Sequence, residues 1–164
     1  MGESIVVGIG EIKCSREPEN VLIAPDLGAG VCVCAYDPQE RVAGVAHVAL
    51  PASSEEDSAT GRFADTAIPA LIERMSEAGG SSERIRVAIV GGAELAGFRG
   101  NGPRLELGAR NVDAVRTELD RANVVVVAAD VGGADGRTLL LTAAGHVCVK
   151  AAGKRERELV HLGF

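Results

Sequence analysis

The chain reads as a mixed α/β (α+β) protein, a layered sandwich of about seven mostly antiparallel strands and two main helices. Three observations predict this class. Short apolar runs rich in Val and Ile recur at strand length, two longer segments carry apolar residues at helical spacing, and glycine-rich stretches separate them. All of this fits within 164 residues, the size of one domain able to bury roughly two thirds of its unfolded surface. The expected organisation is therefore a single domain over residues 1–164.

The strand-like runs are Ile5 to Ile9, Val31 to Tyr36, Val42 to Leu50, Ile85 to Val90, Val124 to Ala129, Thr138 to Thr142 and His146 to Lys150. Each is too short for a stable helix and rich in β-branched side chains. The first helix is expected over Phe63 to Ala78, where Ala67, Ile68, Leu71, Ile72 and Met75 form one apolar stripe. The second is expected over Asn111 to Arg121, with Val112, Val115 and Leu119 as its stripe. Punctuation supports these borders. Ser53 to Gly61 is polar and acidic and reads as an exposed loop, and Gly79-Gly80-Ser81-Ser82 ends the first helix. Arg99 to Pro103 reads as a loop, and Gly132 to Gly136 as a hairpin connection between two strands. The tail after Ala152 is charged and is expected to be loose.

Composition excludes several function classes. Hydrophobic content of 46% beside 24% charged residues is that of a soluble globular chain, and one Tyr and three Phe leave the core to Val, Ala, Leu and Ile. A net charge of −6 argues against nonspecific nucleic-acid binding, which needs an excess of Lys and Arg on one face. No run approaches the roughly 18 to 20 apolar residues of a membrane span, and the N-terminus lacks the basic-then-apolar order of a leader. A cytoplasmic protein without membrane insertion is expected. Cys14, Cys32, Cys34 and Cys148 show no metal or disulfide spacing and read as buried small hydrophobes in a reducing compartment. Gly8-x-Gly10, Gly91-Gly92-Ala93 and Gly132-Gly133-x-x-Gly136 lack the full dinucleotide fingerprint and the phosphate-loop lysine. No metal and no cofactor are expected.

Candidate chemistry lies between Leu22 and Pro51. The turn Asp26-Leu27-Gly28-Ala29-Gly30 leads into a strand, and His47 lies on the next strand, on the face shared by Val45 and Ala49. A lone strand histidine is most often a satisfied core or edge residue; as a base it needs a thiol or hydroxyl beside it. The partner would stand at the edge of the neighbouring strand, where a glycine turn exposes it and backbone N–H groups can stabilise an oxyanion. The turn contains no Ser, Thr or Cys. Cys32 shares the face of Gly30 but lies about 6.6 Å further along an extended chain, too far for simple replacement. Asp26 is the turn's carboxylate, and nothing else in the segment supports a water-orienting role for it.

Six motifs in one order resemble CheD, the chemoreceptor glutamine deamidase family of chemotaxis. Leu27-Gly28-Ala29-Gly30-Val31 followed by Tyr36-Asp37 is similar to its leading Gly-Leu-Gly-Ser-Cys-Val and Tyr-Asp elements. Ala43 to Pro51 is similar to its Gly-Gly-x-x-His-x-x-Leu-Pro in the second half of that pattern, with Ala43 at the first glycine and no gap between the halves. Arg62 to Ala67 resembles the start of the family's first long helix, and Gly91-Gly92-Ala93 its glycine-glycine-alanine loop. Gly108-Ala109-Arg110-Asn111 is similar to its Gly-x-Arg-Asn opening of a helix, and Asp130 to Gly133 with Gly136-Arg137 to its late hairpin. The likeness covers about residues 20 to 150, leaving 151–164 as tail.

The resemblance implies a layered sandwich of the CheD type and hydrolysis of selected glutamine amides on methyl-accepting chemoreceptors. It implies a cysteine nucleophile, a histidine base and an assisting threonine, and a CheC-type phosphatase as a second partner. Carried over residue by residue, His47 is the base, Gly30 stands at the nucleophile position and Ala24 at the threonine position. Asp26 replaces the motif's first glycine. Glycine has no group to attack with, so the expectation is a catalytically impaired relative that binds chemoreceptor or CheC-type phosphatase. Two other readings are a working deamidase with a displaced nucleophile, Cys32, and a scaffold reused for an unrelated binding role.

Overall fold

The computed structural model describes residues 2–54, 56–57, 59–94 and 106–163, and among them the chain forms ten strands and two helices. In order they are β1 (Ser4–Val6), β2 (Ile12–Ser15), β3 (Val21–Leu27), β4 (Val31–Asp37), β5 (Val42–Val48) and α1 (Ala64–Glu77). They continue as β6 (Arg86–Gly91), α2 (Leu107–Arg121), β7 (Val125–Val131), β8 (Arg137–Thr142), β9 (His146–Ala151) and β10 (Arg157–His161). The expected loop at Arg99 to Pro103 lies outside the described residues.

The strands form two five-stranded sheets, β1-β3-β8-β9-β10 and β2-β5-β4-β6-β7. The β1–β3 and β6–β7 pairs are parallel and the other six are antiparallel, so the expected α+β class holds with three more strands than foreseen. Those three carry weak local signals. β2 is four residues with a lysine, β3 contains Pro25 and Asp26, and β10 is largely polar. Proline and aspartate are depleted in strands; here they fall within a register shift between Ala24 and Leu27, where a bulge tolerates them. The charged tail is likewise not loose throughout, because β10 pairs with β9.

The centre of the second sheet, β4 and β5, is buried on both faces. Val31, Val33 and Ala35 of β4 pack with Ile68, Leu71, Met75, Val115 and Leu119 of the helices. Cys32, Cys34 and Tyr36, on the opposite face, pack with Leu22, Leu139, Leu141 and Val147 of the other sheet. The order is helices, sheet, sheet. Such double burial explains why β4 and β5 read as nearly continuous apolar runs, and each buried Leu or Ile contributes roughly 1.5–3 kcal/mol. α1 buries Ala64, Ala67, Ile68, Leu71 and Met75 while Ile72 stays half-buried at the margin of the stripe. It ends where Gly79 turns to φ +104 and the Gly80 N–H donates to the Met75 carbonyl at 2.8 Å.

One expected connection is corrected. β7 belongs to the inner sheet and β8 to the outer one, so Gly132 to Gly136 crosses between layers and is not a hairpin. The hairpin lies instead between β8 and β9, where Gly145 donates to Thr142 at 2.9 Å. Glycines signal that a chain turns; they carry no information on which sheet receives the next strand.

Candidate functional site

In the antiparallel β4–β5 pair, Val31 lies opposite Val48 and Cys32 opposite His47. Directly opposed residues project to one face, so Cys32 and His47 both point between the sheets, and Gly30, two residues before Cys32, sits diagonal to His47. The imidazole leans toward the glycine. A Cβ built on Gly30 would stand 3.3 Å from His47 Nε2, 3.5 Å from its Cδ2 and 2.9 Å from the Val48 carbonyl oxygen. Position 30 is thus in contact with the imidazole and has no side chain of its own. The fit is also tight, since 2.9 Å to a backbone oxygen is closer than a real Cβ sits and would require a small shift.

His47 is 4% exposed. Its Nδ1 lies 3.3 Å from the Val7 carbonyl oxygen, which has only an acceptor to offer, so Nδ1–H donates and Nε2 keeps its lone pair toward Gly30. Burial lowers the His47 pKa below the usual imidazole value, against the opposing effects of the Val7 hydrogen bond and the Glu11 charge. The ring is neutral near pH 7. Its backbone is tied as well: Gly10 N–H donates to the His47 carbonyl at 2.9 Å, and His47 N–H to Glu11 at 3.1 Å. The Glu11 carboxylate closes that turn by accepting from Gly8 N–H at 2.7 Å.

The glycine turn is held from the other side. Gly30 accepts from Gly92 N–H and Gly28 from Ala93 N–H, both at 2.9 Å. Arg137, 8% exposed, steadies that loop by donating to the carbonyls of Gly91 at 3.2 Å and Gly132 at 2.6 Å. Asn111 of α2 donates through Nδ2 to Ala29 at 2.9 Å and to Ala49 at 3.0 Å. This approach of α2 depends on Gly108, where a Cβ would lie 2.3 Å from the Gly92 carbonyl oxygen. Asp26 has φ +55, a left-handed conformation that explains why the resembling motif carries glycine there.

The remaining expected positions lie deeper. Ala24 is fully buried in the core between the sheets. Cys32 is fully buried too, and burial, with a contribution from neighbouring Cys34, pushes its thiol well above the ordinary value. A thiolate there is strongly disfavoured. The arrangement can accept a proton at His47 Nε2, but neither Gly30 nor Ala24 has a side-chain proton to give. Among the described residues no group of three or more His, Cys, Asp or Glu is placed to hold a metal ion, and no helix is long and apolar enough to cross a membrane. Sequence reasoning missed Val7, which acts through a backbone carbonyl that any residue supplies. It saw Asn111 as a motif residue without seeing that its amide reaches the glycine turn.

Comparisons with known proteins bear on the family of the chain. A family model described as CheD chemotactic sensory transduction matches residues 49–151, a range that begins after Gly30 and His47. Over nearly the whole chain, similar proteins bear the name probable chemoreceptor glutamine deamidase CheD. One from Symbiobacterium thermophilum is 40% identical over 157 residues, covering 93% of this chain and 95% of its own. One from Haloarcula marismortui is 41% identical over 152 residues, covering 92% and 86%. One from Clostridium botulinum is 31% identical over 160 residues, covering 96% and 98%.

Proposed function

The chain belongs to the CheD family, and from that membership we propose that it is a catalytically impaired member that acts by binding chemoreceptor or a CheC-type phosphatase. The observation that carries this reading is the contact at position 30: the base is neutral, oriented and in reach, yet the residue facing it is Gly30. In thiol amidohydrolysis the thiolate attacks the carboxamide carbon, the imidazolium protonates the departing ammonia, and water then releases the acyl group. Here His47 has no thiol at position 30 to deprotonate. Ala24 likewise offers no hydroxyl.

Cys32 supports a second reading, because the strand register sets it directly opposite His47. Its complete burial and raised pKa weigh against it as a nucleophile, which must be ionised and reached by a protein glutamine. Native-state labelling decides the point: Cys32 is expected to resist alkylation until the protein unfolds, and rapid labelling of the folded protein would favour the displaced nucleophile.

The direct test measures ammonia release, and a mass change of about one dalton per glutamine, on a chemoreceptor cytoplasmic domain. Wild type is expected at background. Gly30→Cys is expected to gain only weak, His47-dependent release, since its Cβ must displace the Val48 carbonyl and Ala24 is unchanged. Robust wild-type turnover abolished by His47→Ala would sink the proposal. Binding is tested in parallel with the receptor domain and a CheC-type protein; failure of both to bind at tens of micromolar would leave only the reused-scaffold reading.

A further inference from the structure

Asn111 is fully buried and ties together the open ends of the β4–β5 pair, just beyond its last ladder pair, Val31 with Val48. Its Nδ2 donates to the carbonyl of Ala29, the residue before Gly30, and to that of Ala49, two residues after His47. The two acceptors fix the orientation of the amide, because the reverse rotamer would set an oxygen against both carbonyls. The remaining Oδ1 is buried with no hydrogen-bond partner. An orphaned buried acceptor is destabilising, so an apolar residue of the same size would relieve that oxygen but release both carbonyls. What the amide provides is spacing. It adds a side-chain tie where the ladder stops, holding Ala29 and Ala49 on either side of the place where the position-30 Cβ comes within 3.3 Å of His47 Nε2.

We propose that Asn111 is a positioning residue of this site, holding the two strand ends so that His47 Nε2 engages whatever side chain stands at position 30. The inference rests on the reading that Gly30 and His47 mark the family's reaction centre, and it extends the site to α2. Arg137 and the Gly92 and Ala93 N–H groups hold only the turn and its neighbouring loop, whereas Asn111 touches both halves.

A double-mutant cycle read by thiol ionisation tests it. The thiol introduced by Gly30→Cys is alkylated with iodoacetamide across pH, and its labelling is followed on the isolated peptide so that the native cysteines do not interfere. With Asn111 present, His47→Ala is expected to raise the apparent thiol pKa by about one unit, roughly a tenfold loss of thiolate below that pKa. With Asn111→Ala, the same His47 change is expected to alter the thiolate fraction by less than about twofold. Asn111→Ser, which keeps one donor, is expected to fall between and serves if the alanine variant does not fold. An undiminished His47 effect in a folded Asn111 variant, however much its melting temperature drops, overturns the proposal and leaves Asn111 merely structural. Absence of any His47 effect with Asn111 intact overturns it equally. Because ionisation and not amide hydrolysis is read, wild-type deamidase turnover would defeat the noncatalytic reading and leave this one standing.

Discussion

The two ends of β4 are built on opposite terms. At its exit Asp37 is fully buried and saturated with donors. Arg84 approaches through Nη2 at 3.0 Å and Nε at 3.1 Å, and the backbone N–H groups of Gln39, Glu40 and Ser81 donate at 2.9, 3.2 and 2.9 Å. Seven residues earlier, at its entrance, Gly30 faces an equally well held His47 with no side chain at all. One end spends a buried charge on locking the fold. The other holds His47 just as firmly but sets no side chain against it, so buried polar order at one end of a strand need not be matched by a side chain at the other.

The largest expected effect lies at the exit. Asp37→Ala removes the shared acceptor of three backbone N–H groups and one guanidinium, and is expected to cost about 3 kcal/mol in denaturant unfolding. A loss below about 1 kcal/mol would mean that the two ends are not as different as their contacts indicate.

A smaller effect is expected at the entrance. Gly30→Ala introduces a Cβ 2.9 Å from the Val48 carbonyl, and overpacking of this kind costs roughly 1–3 kcal/mol. The backbone at Gly30 is not left-handed, so reduced freedom of the unfolded chain returns about 0.4–1 kcal/mol. The net expectation is a destabilisation of about 1 kcal/mol. A stabilised variant would break the argument that this space is closed around glycine.

The smallest effect separates the two ends by pH. Burial holds the folded pKa of His47 below that of the unfolded imidazole. The unfolded chain therefore takes up the proton first: the contribution is complete above about pH 6.5 and is lost as pH falls toward the folded value. For Asp37, burial pushes the carboxyl up, but hydrogen bonds from Arg84 and from Glu40, Ser81 and Gln39 outweigh it and the folded pKa is lowered. Its contribution is complete above about pH 4 and is lost below that. Stability measured against pH is expected to show both limbs. His47→Gln should flatten the upper limb and leave the lower one in place; a variant that keeps the upper limb would reassign it to another group.

Much of the fold was legible because it rests on local pattern. The stripes of Ala67, Ile68, Leu71 and Met75 and of Val112, Val115 and Leu119 lie on the buried faces of α1 and α2. Runs as apolar as Val31 to Tyr36 became the doubly buried strands. β3 was not legible, since Pro25 and Asp26 read as breakers and only pairing with β8 makes their bulge a strand. β10 was hidden by its charges, and the passage through Gly132 to Gly136 by the silence of turn residues on sheet membership. At the site, the shared face of Gly30 and Cys32 followed from alternation. The pairing of Cys32 with His47, the Val7 acceptor and the Asn111 clamp depend on register and long-range packing.

The sequence by itself determined the family and which side chains exist, because that is a local property: position 30 has none, whatever the fold. Only the tertiary structure decided that His47 is neutral, that its Nε2 is the free nitrogen, and that Cys32 is sealed away from solvent. Those properties depend on desolvation and on partners 40 residues away in the case of Val7 and 82 in the bond from Asn111 to Ala29. Burial and hydrogen-bond geometry arise only when distant segments meet, and no local pattern encodes them.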